Sequence, residues 1–239
     1  MCWSGEASAA LATVGVVSTV YAAYKGEPPQ LYIPLAYFTL MEILQAFTYS
    51  VIDQCGLPSN QVATLLGYLH IVFQPFFINY MAMYFIPKRI SSRIAPFIYA
   101  LCFVAAILML IRVYPFAWAG ICRAGSLLCG PNLCSVHGNW HIAWNIPLNG
   151  FLDWPIYASV GIVLPFLYGS WRGGLYNLIV GVGLAWVLTN NPNERPAVWC
   201  LLSIGLLLLV IKTPLRKMMR VEKWFLWPEK WKDVYVWPS

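Results

Sequence analysis

The stretch IAPFIYALCFVAAILMLIRV, residues 94–113, indicates a membrane-spanning helix, because it is a long apolar run whose only charged side chain is Arg112. A helix of about 20 apolar residues crosses the hydrocarbon core of a bilayer. In the whole chain of 239 residues, 60% are hydrophobic, only 10% are charged, and the mean hydropathy is +0.65. A soluble chain carries about 25% charged residues. The composition therefore predicts an integral, multipass membrane protein and disfavours a cytosolic enzyme, a disordered chain or a nucleic-acid-binding protein.

Six further apolar runs accompany this one, each bounded by charged residues, Pro or Gly. Together, the predicted spans are 7–24, 31–51, 62–86, 94–113, 142–169, 175–190 and 197–212. The fifth span is long and contains several helix-breaking prolines, so we expect it to be kinked. The sequence predicts an all-α protein with a seven-transmembrane domain over residues 1–212 and a tail over residues 213–239.

The distribution of basic residues predicts the orientation of these spans. If the N-terminus lies outside, the inner connections and the tail hold 12 of the 15 Lys and Arg residues. Only Arg112, Arg123 and Arg195 then lie on or near the outer side. Because short cytoplasmic segments are enriched in Lys and Arg, we expect the N-terminus outside and the C-terminus in the cytoplasm.

The tail combines Lys and Arg with aromatic residues. Trp224, Trp227 and Trp231 stand at offsets of 0, 3 and 7, which places them on one face of a helix. Such a segment is typical of an anchor that rests on the anionic inner leaflet. We therefore expect the tail to be a cytoplasmic, interfacial segment.

Five of the seven cysteines fall on the predicted outer side, and the inner connections contain none. Cys122, Cys129 and Cys134 lie in the outer loop 114–141, and Cys55 lies in an earlier outer connection. This asymmetry is typical of an oxidising compartment. We expect disulfides among these four residues, in a pairing that the spacing does not determine, with Cys2 left over.

Polar side chains inside two of the predicted spans point to a functional site, because an ionisable group costs about 3 kcal/mol within a bilayer. Glu42 and His70 both lie about 12 to 14 Å below the outer boundary. Gln45 continues the face of Glu42 at i+3, and Gln74 continues the face of His70 at i+4. Two facing polar stripes predict an outward-facing cavity within the membrane.

The histidines suggest a metal site in this cavity. His137 and His141 are spaced i, i+4, which on a helix directs both imidazoles to one metal ion. With His70 they form a predicted three-histidine zinc site that makes a zinc-bound hydroxide. Glu42, or failing that Asp153 or Glu6, is expected to be the general base or the carboxylate that orients an imidazole. Further side chains are expected to line the cavity or to orient these groups: Glu6, Gln45, Gln74, Trp140, Asn145 and Asp153.

Two resemblances follow from these motifs. Met1-Cys-Trp-Ser-Gly-Glu6, the histidine of the third span and the block Cys134-Ser-Val-His137-Gly-Asn-Trp-His141 resemble a family of uncharacterised multipass membrane proteins over most of the chain. More loosely, His137-x-x-Trp140-His141 with an upstream histidine is similar to the alkaline ceramidase and adiponectin-receptor superfamily of seven-helix zinc hydrolases. That likeness implies hydrolysis of lipid amides.

The sequence departs from that superfamily in two ways. The histidine pair of the superfamily lies in its last span, whereas here it precedes the fifth. A Ser and an Asp flank the earlier histidine in the superfamily, but Leu66 and Met81 stand at those positions here.

Three functional classes stay open. The first is a zinc-dependent hydrolase of lipid amides or esters. The second is a ligand-binding or transport protein without catalysis, in which Glu42 matters and each histidine is dispensable. The third is a haem protein with His70 and His141 as axial ligands. The expected partners are the lipid bilayer and a lipid or small-molecule ligand, with no nucleic acid, and the oligomeric state is left open.

Overall fold

The structure is a computed structural model that describes residues 3–123, 125–151 and 155–228. Within these residues the chain is mostly helical, with eight helices and one two-stranded hairpin. The helices are α1 (Gly5–Tyr24), α2 (Pro29–Tyr49), α3 (Pro58–Ala82), α4 (Lys88–Ile111), α5 (Ile156–Leu167), α6 (171–188), α7 (Arg195–Lys212) and α8 (Leu215–Met218). Five of the described helices, α1 to α4 and α7, are long and apolar enough to cross a membrane.

The helix starts follow from local sequence. Ser4 caps α1, since its side-chain oxygen accepts a hydrogen bond from the backbone N–H of Ala7 at 3.3 Å. Helices α2 and α3 begin on Pro29 and Pro58, and Pro196 lies in the first turn of α7. A proline fits the first turn because its missing N–H would have no partner inside the helix.

The predicted fifth span is wrong in its first half. Residues 142–145 form strand β2 (Ile142–Asn145), which pairs antiparallel with β1 (Cys134–His137), and α5 begins only at Ile156. Pro147 and Pro155 prevent a continuous helix through this region, because proline lacks the N–H that a helix interior requires. The connection between α4 and α5 therefore contains a hairpin, and we call this connection the hairpin loop.

The hairpin loop covers one end of the helix bundle, formed by the C-terminal end of α2 and the N-terminal ends of α3 and α7. Strand β1 contacts α3, and β2 contacts α7. Trp144 of β2 is fully buried in a core cluster that also contains Met41, Tyr68 and Met109. We call this end the hairpin end.

Two disulfides tie the hairpin loop. Cys55, between α2 and α3, pairs with Cys134 of β1, and Cys122 pairs with Cys129 within the loop. All four cysteines for which a disulfide was expected are therefore bonded. Cys102 and Cys200 are free and buried, and Cys2 lies outside the described residues.

The tail differs from the helix that the tryptophan spacing predicts. After α8, residues 219–228 contain no helix. Trp227 is buried and donates from Nε1 to the carbonyl of Tyr168 at 2.9 Å, while Trp224 donates to the carbonyl of Leu167 at 3.1 Å. Gly169 permits this contact, because it has a positive φ of 102° and a Cβ there would lie 2.7 Å from the Trp227 ring. The tail thus packs on the end of α5, and Trp231 lies outside the described residues.

Candidate functional site

His141 is buried where the hairpin turn meets α2. The hydroxyl of Tyr49 lies 2.6 Å from its Nδ1, and Oε1 of Gln45 lies 3.0 Å from its Nε2. Both contacts are satisfied when the tyrosine donates to Nδ1 and the ring donates from Nε2 to the amide oxygen. Burial lowers the pKa of His141 to about 3, so the ring is neutral at physiological pH.

Glu194 determines the conformation of the turn that carries His141. Its buried carboxylate accepts hydrogen bonds from the Thr189 hydroxyl and from three successive backbone N–H groups, those of Asn139, Trp140 and His141. Successive N–H groups that converge in this way form an anion-binding concavity. Gly138 makes room for it, because a Cβ there would lie 2.7 Å from the Glu194 carboxyl carbon.

Sequence reasoning missed Glu194. The signal that was present is an acidic residue in the short connection Asn-Pro-Asn-Glu-Arg-Pro between two apolar runs. An acidic residue in a short connection is normally interpreted as a solvent-exposed charge. Only the tertiary structure shows that this carboxylate is buried against the backbone of the hairpin turn.

Glu42 lies on the same face of α2 as Gln45 and is fully buried. Among the described residues, neither of its carboxylate oxygens meets the geometry of a hydrogen bond, although the hydroxyl of Ser8 is close by. Tyr49 and Cys200 also lie near this carboxyl group. Glu42 therefore belongs to the packed interior of the bundle, next to the Gln45–His141–Tyr49 chain.

The structure places the other two histidines elsewhere. His137 is exposed at the end of β1, where its ring and its backbone N–H both bond to the carboxylate of Asp53. His70 stacks on Tyr37 with ring centroids 3.9 Å apart and lines a shallow, apolar groove of about 580 Å³ with Phe73. The interaction with His137 lowers the pKa of Asp53, although partial burial of the carboxyl acts in the opposite direction.

The helical face expected for His137 and His141 is therefore wrong. His137 pairs with Ile142 across the hairpin, so the two histidines lie on either side of a turn and their side chains point to different surroundings. Across residues 3–123, 125–151 and 155–228, no group of three or more His, Cys, Asp and Glu side chains is placed to hold a metal ion. The zinc and haem sites stay predictions that this arrangement does not support.

The other side chains that were predicted to line the cavity either pack within the protein or lie away from the three histidines. Trp140 stacks on Trp3 with centroids 6.3 Å apart, and the Asn145 side chain accepts a hydrogen bond from Asn193 at 2.8 Å. Glu6 is exposed in the first turn of α1. Asp153 lies outside the described residues.

Gln74 leads to a different site, a cavity of about 710 Å³ enclosed by α3 to α7 and the hairpin loop, which we call the central cavity. Gln74 and Tyr157 form its floor, where the Tyr157 hydroxyl donates to Oε1 of Gln74 at 2.7 Å. Nε2 of Gln74 in turn donates to the Cys200 sulfur at 3.3 Å. The walls are mainly apolar and include Ile71, Ile162, Val182 and Ala185.

Three arginines line the central cavity at the hairpin end of the bundle, and we call this part of the cavity its mouth. Arg112 ends α4, Arg123 lies in the hairpin loop, and Arg195 begins α7. The guanidinium of Arg195 lies 3.9 Å from the centre of the Trp186 ring, and its Nε donates to the carbonyl of Thr189 at 3.2 Å. Stacking on an aromatic face holds the guanidinium in place while leaving other N–H donors in its plane.

The two short helices that enclose the cavity each contain a π-helical turn, Ser159–Val163 in α5 and Asn177–Gly183 in α6. The wall residues Ile162 and Val182 belong to these turns. A π-helical turn widens a helix locally, and such turns are frequent at functional sites.

Comparison with known proteins gives a family but no activity. The family model described as "Family of unknown function (DUF5765)" matches residues 6–220. No curated protein and no solved structure matches the chain.

Proposed function

We propose that this chain, which belongs to the Family of unknown function (DUF5765), is an integral membrane protein that binds an amphipathic small molecule, such as a lipid, in the central cavity. The observation that carries the proposal is the cavity itself. Its volume of about 710 Å³ lies within the range of ligand pockets, roughly 300 to 1,000 Å³. Its apolar walls suit an alkyl or ring system, and its polar mouth suits a headgroup.

The proposed topology has seven spans, with α5 and α6 added to the five long helices. Helix α5 covers only 12 residues, or about 18 Å, so it reaches across part of a bilayer and the hairpin loop fills the remaining depth. The hairpin end, with both disulfides, would face an oxidising outer compartment. The positive-inside rule supports the same orientation, since 12 of 15 basic residues belong to the other side in this topology.

The position of the predicted catalytic residues favours binding over hydrolysis. Among the described residues that line the central cavity, none is Glu42, His70, His137 or His141. Glu42 and His141 are packed against neighbouring side chains, and both ring nitrogens of His141 are already hydrogen-bonded. A substrate held in the cavity would therefore be separated from all four of these groups.

Photo-crosslinking tests the proposal. The protein is reconstituted in phosphatidylcholine nanodiscs, irradiated with a diazirine-bearing dodecanol and digested for mass spectrometry. We expect saturable labelling of cavity-facing positions such as Ile162 and Val182. Ala185→Trp, which fills the cavity from α6, should abolish it. Val187→Trp is the matched control, because Val187 lies on the same helix and is 81% exposed.

Two outcomes would overturn the proposal. One is labelling confined to outward-facing positions such as Val187, which would reflect bulk lipid contact. The other is labelling of Ile162 and Val182 that persists in Ala185→Trp or that excess unlabelled dodecanol does not reduce.

A further inference from the structure

The basic residues at the mouth of the central cavity define the kind of headgroup that it accepts. We infer that the ligand is an anionic amphiphile, with a phosphate or carboxylate group bound at the mouth by Arg123 and Arg195 and an apolar part inside. This inference rests on the proposed function and adds the charge of the ligand to it.

The first support is where the arginines occur. Only Arg112, Arg123 and Arg195, of 15 basic residues, belong to the hairpin side of the bundle in the proposed topology. Basic residues are disfavoured on the outer side of a membrane protein, so each of them needs a reason to be there. All three line one cavity, although they come from α4, the hairpin loop and α7.

The second support is the charge balance of the cavity. Among its described lining residues there is no Asp or Glu. Among the residues that the structure describes, the ion pairs are His137–Asp53 and Arg216–Glu27. Neither Arg123 nor Arg195 therefore forms an ion pair with a described carboxylate. Positive charges beside a low-dielectric cavity raise the affinity for an anion, because the interaction energy grows as the dielectric constant falls.

The third support is the geometry of Arg195. Trp186 covers one face of its guanidinium, and Thr189 accepts a hydrogen bond from Nε. The two terminal nitrogens carry the remaining donors in a fixed plane, which is the arrangement that binds a phosphate or carboxylate through two parallel hydrogen bonds.

The inner end of the cavity suits the apolar part of the ligand. Trp199 lies one turn below Arg195 on α7, about 6 Å further from the mouth. The floor groups, Gln74 and Tyr157, are hydrogen-bonded to each other and Gln74 also to Cys200, so their polar atoms are already partnered. An apolar group of the ligand therefore fits against the walls and floor, while the charged group stays at the mouth.

Competition against the diazirine-dodecanol label tests the headgroup. The competitors are dodecyl phosphate, dodecyltrimethylammonium and inorganic phosphate, each titrated below its micellar range in nanodiscs. We expect dodecyl phosphate to displace the label at a concentration at least about tenfold lower than the cationic amphiphile does. Inorganic phosphate should not displace it, because a free anion lacks the apolar part that overlaps the label.

Variants connect the effect to the arginines. Arg195→Gln and Arg123→Gln should each weaken displacement by dodecyl phosphate about tenfold, and should weaken competition by unlabelled dodecanol by a much smaller factor. Arg195→Lys should keep part of the affinity, since it retains the charge but not the planar pair of donors. Lys88→Gln, at the start of α4 on the opposite end of the bundle, is the matched charge control and should have no effect. Saturable labelling of Ile162 and Val182 in each variant establishes that the cavity is still formed.

The outcomes separate the two proposals. If both amphiphiles compete equally, or if the arginine variants bind dodecyl phosphate as the wild type does, the anionic headgroup is refuted and the cavity remains a binding site. If inorganic phosphate displaces the label as well as dodecyl phosphate does, the site binds a free anion, which also refutes an amphiphile. If Ala185→Trp leaves the labelling unchanged, the proposed function fails, and this inference fails with it.

Discussion

Glu194→Gln is the perturbation whose effect the structure defines most closely. In the wild type, Oε1 accepts the N–H groups of Trp140 and His141, and Oε2 accepts that of Asn139 and the hydroxyl of Thr189. Glutamine keeps one acceptor oxygen but replaces the other with an NH₂ group that faces two donors. A hydrogen bond to a charged group contributes about 1.5 to 3 kcal/mol, so the loss of two of them lowers the free energy of unfolding by about 3 to 6 kcal/mol.

Thermal unfolding of the detergent-purified protein measures this loss. For a chain of this size, about 1 kcal/mol shifts the melting temperature by roughly 2 to 4 °C, so we expect a decrease of about 6 to 24 °C. Glu222→Gln is the matched control, because Glu222 is exposed in the tail and makes the same change of charge. A Glu194→Gln protein that melts within about 2 °C of the wild type, or no lower than Glu222→Gln, would refute the role of this carboxylate.

Three further predictions concern the hairpin end and the bundle interior. Glu42→Met should raise the melting temperature by a few degrees, since a buried carboxyl group that accepts no hydrogen bond from the described residues lowers the free energy of unfolding by about 1 to 3 kcal/mol. A melting temperature below that of the wild type would contradict this account. The double substitution Cys55→Ser with Cys134→Ser opens a link between residues 79 positions apart and should cost about 2 to 4 kcal/mol, so unchanged melting would show that the disulfide does not constrain the unfolded chain. Asp53→Asn should lower stability at neutral pH by no more than about 1 kcal/mol, because the pair with His137 is exposed. Since folding lowers the pKa of Asp53, its carboxylate stabilises the folded state at pH values above the pKa of Asp in the unfolded chain, about 4, and this stabilisation is lost at lower pH. If the variant were still less stable than the wild type in acid, this pH dependence would be wrong.

Composition and apolar run length predicted most of the helical structure. The predicted segments 7–24, 31–51, 62–86, 94–113 and 197–212 are helical over nearly all of their length, because long apolar runs in a chain with few charges have no other way to satisfy their backbone. The seven-span count and the orientation stay predictions. The error at 142–151 has a physical cause, since a short apolar run such as Ile142–Ile146 suits a buried strand as well as a helix.

The candidate sites were less accessible from the sequence. The i+3 spacing placed Glu42 and Gln45 on one face, but nothing in the sequence indicated that this face meets the hairpin turn rather than α3. Arg112, Arg123 and Arg195 were recognisable in the sequence only as indicators of orientation, because their convergence on one cavity depends on the packing of helices distant in sequence. Glu194 was missed for the same reason, since the three backbone N–H groups that it accepts lie more than 50 positions earlier, 53 for His141.

The dependence of the hairpin turn on Glu194 also imposes an order on biogenesis. A ribosome that adds about 5 to 20 residues per second needs roughly 3 to 10 s to proceed from His141 to Glu194. During that interval the backbone N–H groups at 139–141 have been synthesised, but the carboxylate that accepts them has not. The loop can therefore reach its final conformation only after residue 194 has been added, as the last long helix emerges, so the region around the Cys55–Cys134 disulfide is completed late in synthesis.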